Sequence, residues 1–437
     1  MKECRKFNFN NNEDLNKTLA NYKIKSANNV HKVLESFAYN EFDIPNRIVA
    51  LPMEGVDGIN GAPSELTFRK YERASKGGYG IIWLEATAIN SESMSNDNQL
   101  FINDDTLDSF IELNDLIKKS SLESAYKKEA YTILQLNHSG RYANKNGIEN
   151  AQIATHKPIL DERRNIECDR ELVSDEYLDK LKDDYLKASI LARKAGFNAV
   201  DIKSCHGYLL SELFTATERE GKYGGGFENR TRFILETIDM IRGCPDCEGL
   251  EITVRLNMVD NPNLINENID NLDEILVETK KLISLLMEKG VNIISLSLGN
   301  PYYIPNVGKP SDLKVNEDIE SPLISSVRII KMISYLQKQF PDMIFVGLGY
   351  TWFRQFGGYI AEELINNNEV TFAGFGRQVL AYPDLPNDLL ETGKLDPNKV
   401  CITCGMCSTL KANNYPSGCV VRDRKIYQKY LDELRSN

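Results

Sequence analysis

The chain has 437 residues, 42% of them hydrophobic and 26% charged, a composition that supports a large buried core. Lys and Arg total 52 against 63 Asp and Glu, a net charge of -11, so nucleic acid and anionic membranes are not expected as partners. No run approaches the ~20 uninterrupted apolar residues of a membrane span, and Met1-Lys2-Glu3-Cys4-Arg5-Lys6 leads into a polar stretch without an apolar signal core. A cytoplasmic protein is therefore expected.

Asn and charged residues dominate the first forty positions, which read as a mobile or loosely packed lead-in. A rhythm then begins at Arg47. Short apolar runs rich in β-branched residues fall at 47–53, 80–89, 131–138, 199–205, 251–257, 293–299, 344–349 and 372–376. Amphipathic stretches separate them, the clearest at 175–195, 229–241, 272–289 and 323–340. Nearly continuous apolar runs suit parallel strands covered by helices. Alternating strands and helices imply βαβ units, and eight strands suggest a closed (β/α)8 TIM barrel of the α/β class. A doubly wound open sheet is the competitor, but no Gly-rich dinucleotide fingerprint follows the first strand. The expected organisation is an N-terminal extension over 1–40, a barrel over 41–390 and a cysteine-containing tail over 391–437.

In such a barrel, chemistry belongs at the C-terminal ends of the strands. The first strand ends in Pro52-Met53-Glu54-Gly55, the third in Gln135-Leu136-Asn137-His138-Ser139-Gly140-Arg141. The fourth ends in Lys203-Ser204-Cys205-His206-Gly207-Tyr208 and the fifth in Arg255-Leu256-Asn257. The last two end in Gly347-Leu348-Gly349 and Gly374-Phe375-Gly376-Arg377. Glycines there let backbone N–H groups close around a phosphate, and Arg377 adds charge-assisted bonds. This predicts a phosphate without naming its owner. An arginine such as Arg255, closing an apolar strand, is costly to bury without an anionic partner.

Nine cysteines in a long chain of this kind point to metal or redox work where they cluster. Cys401, Cys404, Cys407 and Cys419 crowd into the tail with the compact spacing of iron–sulfur sites. Four thiolates suit zinc equally, and free thiols are the third reading. Cys244-Pro245-Asp246-Cys247 reads as a structural turn.

Together these motifs resemble the Old Yellow Enzyme and 2,4-dienoyl-CoA reductase group of FMN-dependent ene-reductases. The matches are Asn46-Arg47-Ile48-Val49 leading to Pro52-Met53, and Gln135-Leu136-x-His138-x-Gly140-Arg141. The most distinctive run is Gly196-Phe197-Asn198-Ala199-Val200-Asp201-Ile202, His206-Gly207-Tyr208-Leu209, then Tyr223-Gly224-Gly225-Gly226-Phe227-Glu228-Asn229-Arg230. Arg255 and 374–386 complete the set in family order, and the resemblance covers about 46–386.

The resemblance implies FMN across the barrel mouth, its phosphate near Gly349, Gly376 and Arg377. It implies Gln135 on the pyrimidine edge and Arg255 near N1, where a guanidinium stabilises the anionic reduced flavin. Pro52, Met53 and Ala86 would supply backbone contacts and the wall, with plain barrel packing as the alternative for Pro52 and Met53. Tyr208 is the implied proton donor, since a phenol with pKa about 10 stays protonated at neutral pH. A Tyr capping a backbone carbonyl is the bland alternative. Many relatives place two His, or His and Asn, on the substrate carbonyl. Here the pair is Lys203 and His206, and Lys203 can stabilise a developing enolate or simply pair with a loop carboxylate. His138 lies near the flavin or orients a loop.

The tail resembles the reductase branch, which carries a four-iron cluster after the barrel, although one residue is missing between the second and third cysteines. That branch continues into FAD- and NADH-binding domains, for which this sequence has no room before Asn437. Electrons are then expected directly from NAD(P)H or from a separate electron-donor protein. The expected activity is reduction of the C=C bond of a small enone-type substrate. An oxidative amine demethylase is the second reading, and a flavin-less phosphate-binding barrel or scaffold the third. An oligomer is left open. The loops at 259–270 and 301–320, which would shape the pocket, are Asn- and Pro-rich and carry no interpretable motif.

Overall fold

The computed structural model describes residues 6–144, 150–260, 271–312 and 320–436. Most of the segment at 259–270 and the middle of 301–320 therefore lie outside the described residues. All eight apolar runs form strands: β1 Ile48–Ala50, β2 Ile81–Trp83, β3 Tyr131–Asn137, β4 Ala199–Ser204, β5 Glu251–Asn257, β6 Ile293–Ser297, β7 Ile344–Gly347 and β8 Phe372–Phe375. Each pairs in parallel with its neighbour, β8 returns to β1, and β2 pairs with β3, so the sheet closes on itself. The closed parallel barrel is the TIM-barrel fold expected from the sequence. Thr87–Ala88 adds a short strand beside the end of β3.

The strands are buried along nearly their whole length because their inner and outer faces are both covered. The amphipathic stretches supply that cover as helices Asp175–Lys194, Phe227–Arg242, Val277–Glu288 and Pro322–Gln339. The first begins at Ser174, whose hydroxyl accepts from Tyr177 N, with Asp175 and Glu176 in the first turn and Arg193 and Lys194 in the last. Cap and charges both oppose the helix dipole as a stable helix requires. Among the described residues no helix is long and apolar enough to cross a membrane.

Residues 6–40 are not a loose lead-in. Helix Asn12–Leu19 buries Leu15 and Leu19, and Phe9, Ile24, Val30 and Val33 join the same core. Phe7 packs edge-on against Trp352 at 6.0 Å, and the amides of Lys32 and Val33 donate to Glu362 at 3.0 and 2.9 Å. The polar composition misled because the apolar residues are few but fall on one face. A hairpin of Phe37–Tyr39 and Phe42–Ile44 follows. Its Phe37 and Phe42 rings meet Phe372 and Tyr131, the first residues of β8 and β3, so it closes the N-terminal end of the barrel.

The tail folds against the opposite end. Asp423 accepts from Arg69 at 2.7 and 2.9 Å and from Arg73 at 2.6 Å, both on helix Glu65–Lys76. Ser417 N donates to Gly55 O at 2.6 Å, tying the tail to the loop after β1. Helices Met406–Ala412 and Arg424–Ser436 share a small core of Leu410, Val420, Tyr427 and Leu431. Replacing Leu15→Ala should lower unfolding free energy by about 2–5 kcal/mol, read from the denaturant midpoint, because its methyl groups are core rather than lead-in.

Candidate active site at the barrel mouth

The C-terminal ends of the strands and the tail enclose a cavity of about 320 Å³. Pro52, Met53 and Glu54 line it from the β1 loop, Gln135 from β3, and Lys203, His206 and Tyr208 from the end of β4. Arg255 lines it from β5, Gly349 follows β7, and Gly376 and Arg377 follow β8. Thus ten of the expected barrel residues, spread over more than 300 positions of sequence, share one cavity. Ala86 does not line it: this residue is fully buried and its carbonyl accepts from Gln99 at 2.9 Å.

A buried carboxylate holds two of the lining residues. Asp201, in the middle of β4, accepts from Trp83 Nε1 at 2.9 Å, Gln135 Nε2 at 2.6 Å and the Arg255 amide at 2.6 Å. Burial pushes its pKa up to about 6, although Gln135, Arg255 and Trp83 all oppose the rise. The acid therefore fixes two rim residues, the Gln135 amide by its side chain and Arg255 by its backbone.

Two guanidinium groups in this wall keep atoms without partners. Arg255 is 8% exposed and its Nε has no hydrogen-bond partner. Arg377 donates Nη2 to Pro310 O at 2.7 Å, while its buried Nη1 has none. Leaving a buried charged donor unpaired is costly, and each of these groups keeps a donor for a further acceptor. Gly349 sits at φ 105°, a left-handed backbone that glycine adopts freely, and a Cβ on Gly376 would meet only Met53 Sδ, at 3.1 Å.

On the other side of the cavity the Tyr208 hydroxyl lies 2.8 Å from the Tyr302 hydroxyl and 3.4 Å from Glu54 Oε1. Its ring lies under Lys203 Nζ at 3.8 Å. Burial first, then the Glu54 charge and Tyr302, raise the Tyr208 pKa well above 10, so the phenol stays protonated. Lys203 pairs with Glu54 at 3.2 Å, the loop-carboxylate pairing, and burial pushes its ammonium below the usual lysine value. Glu54 also pairs with Lys411. Burial would raise the Glu54 pKa, but Lys411 and Lys203 outweigh it and hold the carboxylate ionised. His206 adopts φ 67° and places Nε2 2.9 Å from Ser297 Oγ. Burial, helped by Arg255 and Lys203, keeps it neutral.

His138 does not line the cavity and takes the loop-orienting role. Its Nδ1 accepts from Gly140 N at 3.0 Å, so Nε2 carries the proton and faces Tyr177 Oη at 2.9 Å. Cys244 and Cys247 bracket a single turn, with Cys247 N donating to Cys244 O at 3.0 Å.

The four tail cysteines gather around a second, smaller cavity that also touches Arg377. None of the four forms a disulfide; Cys401 Sγ accepts from Thr403 N at 3.4 Å and Cys419 Sγ from Arg422 N at 3.3 Å. Among the described residues no three His, Cys, Asp or Glu side chains converge as they would on a single metal ion. Cys407 lines both cavities.

Sequence reading did not single out Asp201, Glu54, Tyr302 or Lys411. Asp201 and Glu54 stood inside quoted motifs and could have been flagged as acids in apolar runs. Tyr302 stands in an uninterpreted loop, and nothing in the sequence placed tail residue Lys411 at the barrel mouth.

A family model described as the NADH:flavin oxidoreductase / NADH oxidase family matches residues 34–304. The NADPH dehydrogenase of Bacillus pumilus is 27% identical over 351 residues, covering 76% of this chain and 95% of the relative. The NADH oxidase of Thermoanaerobacter brockii is 25% identical over 372 residues, covering 83% of this chain, and the chain spans only about half (51%) of that relative's length. Among solved structures, a 2-naphthoyl-CoA reductase in complex with 2-naphthoyl-CoA superposes with TM-score 0.69 at 17% identity, over 90% of this chain and 57% of that one. An old yellow enzyme homologue from Zymomonas mobilis gives 0.61 at 19% identity, over 84% and 95%. These structural likenesses bear on the fold.

The His138 arrangement generates a pH prediction. Burial lowers its pKa to about 3, whereas an unfolded histidine titrates near 6.5. Between those values the unfolded chain binds the extra proton, so stability is lost as pH falls through this window, by up to about 1.4 kcal/mol per pH unit. Urea midpoints from pH 7 to 4 should show a shallower dependence in His138→Gln than in the wild type.

Proposed function

The chain belongs to the NADH:flavin oxidoreductase / NADH oxidase family, and from that premise we propose that it is an FMN-dependent oxidoreductase. In this reading it takes reducing equivalents from NAD(P)H and reduces the C=C bond of a small α,β-unsaturated carbonyl compound. Residues 41–390 form the FMN-binding barrel, 1–40 its N-terminal extension and 391–437 its cysteine-rich tail. The observation that carries the reading is the pairing, in one cavity, of a buried guanidinium at Arg255, its Nε without a hydrogen-bond partner, with a protonated phenol at Tyr208.

The residues present fit FMN. Arg377 Nη1 and the open space over Gly376, beside Gly349, suit a phosphate. Arg255 suits a group that becomes anionic on reduction. Gln135, with one N–H donated to Asp201, keeps its amide oxygen and second N–H for a pyrimidine edge. Pro52 and Met53 supply wall. FMN bound there supplies the two-electron hydride carrier.

The chain's own side chains then divide the remaining work. With FMN bound, Arg255 would place its positive charge beside a group that is anionic when reduced. Tyr208 holds the proton that the second alkene carbon needs, at its hydroxyl oxygen. Lys203 and neutral His206 offer donors to the carbonyl oxygen, whose negative charge grows as the enolate forms; buried donors of that kind act strongly because little water competes.

The amine reading fits less well. Among the described residues, Lys203, Lys411, Arg255 and Arg377 face the cavity against one carboxylate, Glu54, a field that repels an ammonium substrate and favours an electron-rich oxygen.

We read Cys401, Cys404, Cys407 and Cys419 as ligands of a four-iron, four-sulfur cluster. The shared small cavity and the N–H···S bonds support it. Cys407, lining both cavities, suits electron exchange with a donor protein. The purified chain should be yellow with a brown contribution, releasing FMN, iron and labile sulfide on denaturation; zinc without iron would exclude the cluster, and a colourless preparation would exclude the flavin.

Tyr208→Phe should slow reoxidation of the reduced enzyme by 2-cyclohexenone by about 10²–10⁴-fold, the usual worth of a positioned acid, in rapid mixing. Flavin reduction by NADPH measured alongside should change far less. Equal slowing of both half-reactions would remove Tyr208 from the role of proton donor.

A further inference from the structure

A closed chain of hydrogen bonds links the tail to Tyr208. Lys411 Nζ lies 3.4 Å from Tyr302 Oη, Tyr302 Oη lies 2.8 Å from Tyr208 Oη, and Tyr208 Oη lies 3.4 Å from Glu54 Oε1. Lys411 pairs with Glu54 and completes the ring.

The two ends of the chain fix its direction. An ammonium only donates, and an ionised carboxylate only accepts. Lys411 therefore donates to the Tyr302 oxygen, Tyr302 to the Tyr208 oxygen, and Tyr208 to Glu54. Each hydroxyl already points its proton at the next oxygen, and each oxygen already receives one from behind.

The geometry also holds Tyr302 rigidly. Its ring stacks on Tyr142 at 3.9 Å between centroids, and its amide donates to Asn300 Oδ1 at 2.9 Å. The outer end reaches solvent: Tyr302 is 37% exposed and the Lys411 side chain 30%. Glu54 cannot be the proton source, since its two lysine partners keep it ionised.

We propose that Tyr302 and Lys411 return a proton to Tyr208 after each turnover, so that the tail contributes a positioning residue to the reaction in the barrel. This rests on the reading of Tyr208 as proton donor. The steps balance without electron movement. Tyr208 breaks its O–H bond as its proton bonds to the substrate carbon, leaving a phenolate. That oxygen takes the Tyr302 proton, Tyr302 takes one from the Lys411 ammonium, and the amine takes one from solvent water. Net, one solvent proton reaches the product.

The test uses the full-length, FMN-loaded protein and 2-cyclohexenone in H2O and D2O. Tyr302→Phe keeps the stacked ring but removes the hydroxyl, and Lys411→Met removes the donor. Both should slow steady-state turnover with NADPH as reductant several-fold and enlarge its solvent isotope effect, which a merely structural defect would not do. Lys411→Arg should recover most of the rate lost in Lys411→Met. A second readout needs no substrate. In the free protein with isotope-labelled tyrosine, the infrared C–O stretch of Tyr208 should shift in Tyr302→Phe, because its oxygen no longer receives a proton. Impaired Tyr208→Phe alongside unchanged rates and isotope effects in the other variants would overturn the relay alone. Unimpaired Tyr208→Phe would overturn the relay and the donor reading together, and an unshifted Tyr208 band would overturn the directed chain.

Discussion

The carboxylate of Asp201 is the interaction on which the mouth of this barrel depends. It is fully buried and satisfies donors from β2, β3 and β5 while belonging to β4. Four strands are thus locked in register at one level, just below the rim. Without it three donors would lose their partner, each costing about 1–3 kcal/mol. A hydrophobic residue of similar size would pack, yet it would leave Gln135 and Arg255 without a common reference. The buried acid thereby ties the Gln135 side chain and the Arg255 backbone to one point below the mouth.

Above that level the site is assembled from segments with little local relation. Glu54 follows β1, Lys203 ends β4, Tyr302 belongs to the loop after β6, and Lys411 comes from the tail. The first acid organises the others, because one ionised carboxylate holds two ammonium groups and accepts from one phenol. Buried ion pairs of this type need every member present, since removing one partner leaves an uncompensated charge. The local stability of the mouth therefore hangs on Glu54.

Much of this was legible in the residues. The eight apolar runs carried the barrel because parallel strands covered on both faces cannot alternate polar and apolar positions. Strand-end residues such as Arg255, Tyr208 and Arg377 were legible because the fold places strand ends together. Ala86 was not, since a resemblance transfers a position without its local hydrogen bonds, and here Gln99 takes its carbonyl. The packed N-terminal segment was hidden by composition, as a few well-spaced apolar side chains such as Leu15 and Leu19 suffice to dock a short helix. Lys411 was hidden for a different reason: which surface a tail folds back upon is decided by pairings such as Asp423 with Arg69 and Arg73, which no local pattern announces.

The docking of residues 401–436 onto helix Glu65–Lys76 has a consequence for how such barrels diversify. A wall of the mouth cavity is supplied by a segment lying beyond the last barrel strand, so grafting this barrel into another polypeptide with a breakpoint near residue 395 would transplant the scaffold and leave part of the cavity lining behind. The natural unit of exchange is barrel plus appendage, and altering the appendage alone offers a route to new reactants that leaves the eight strands untouched.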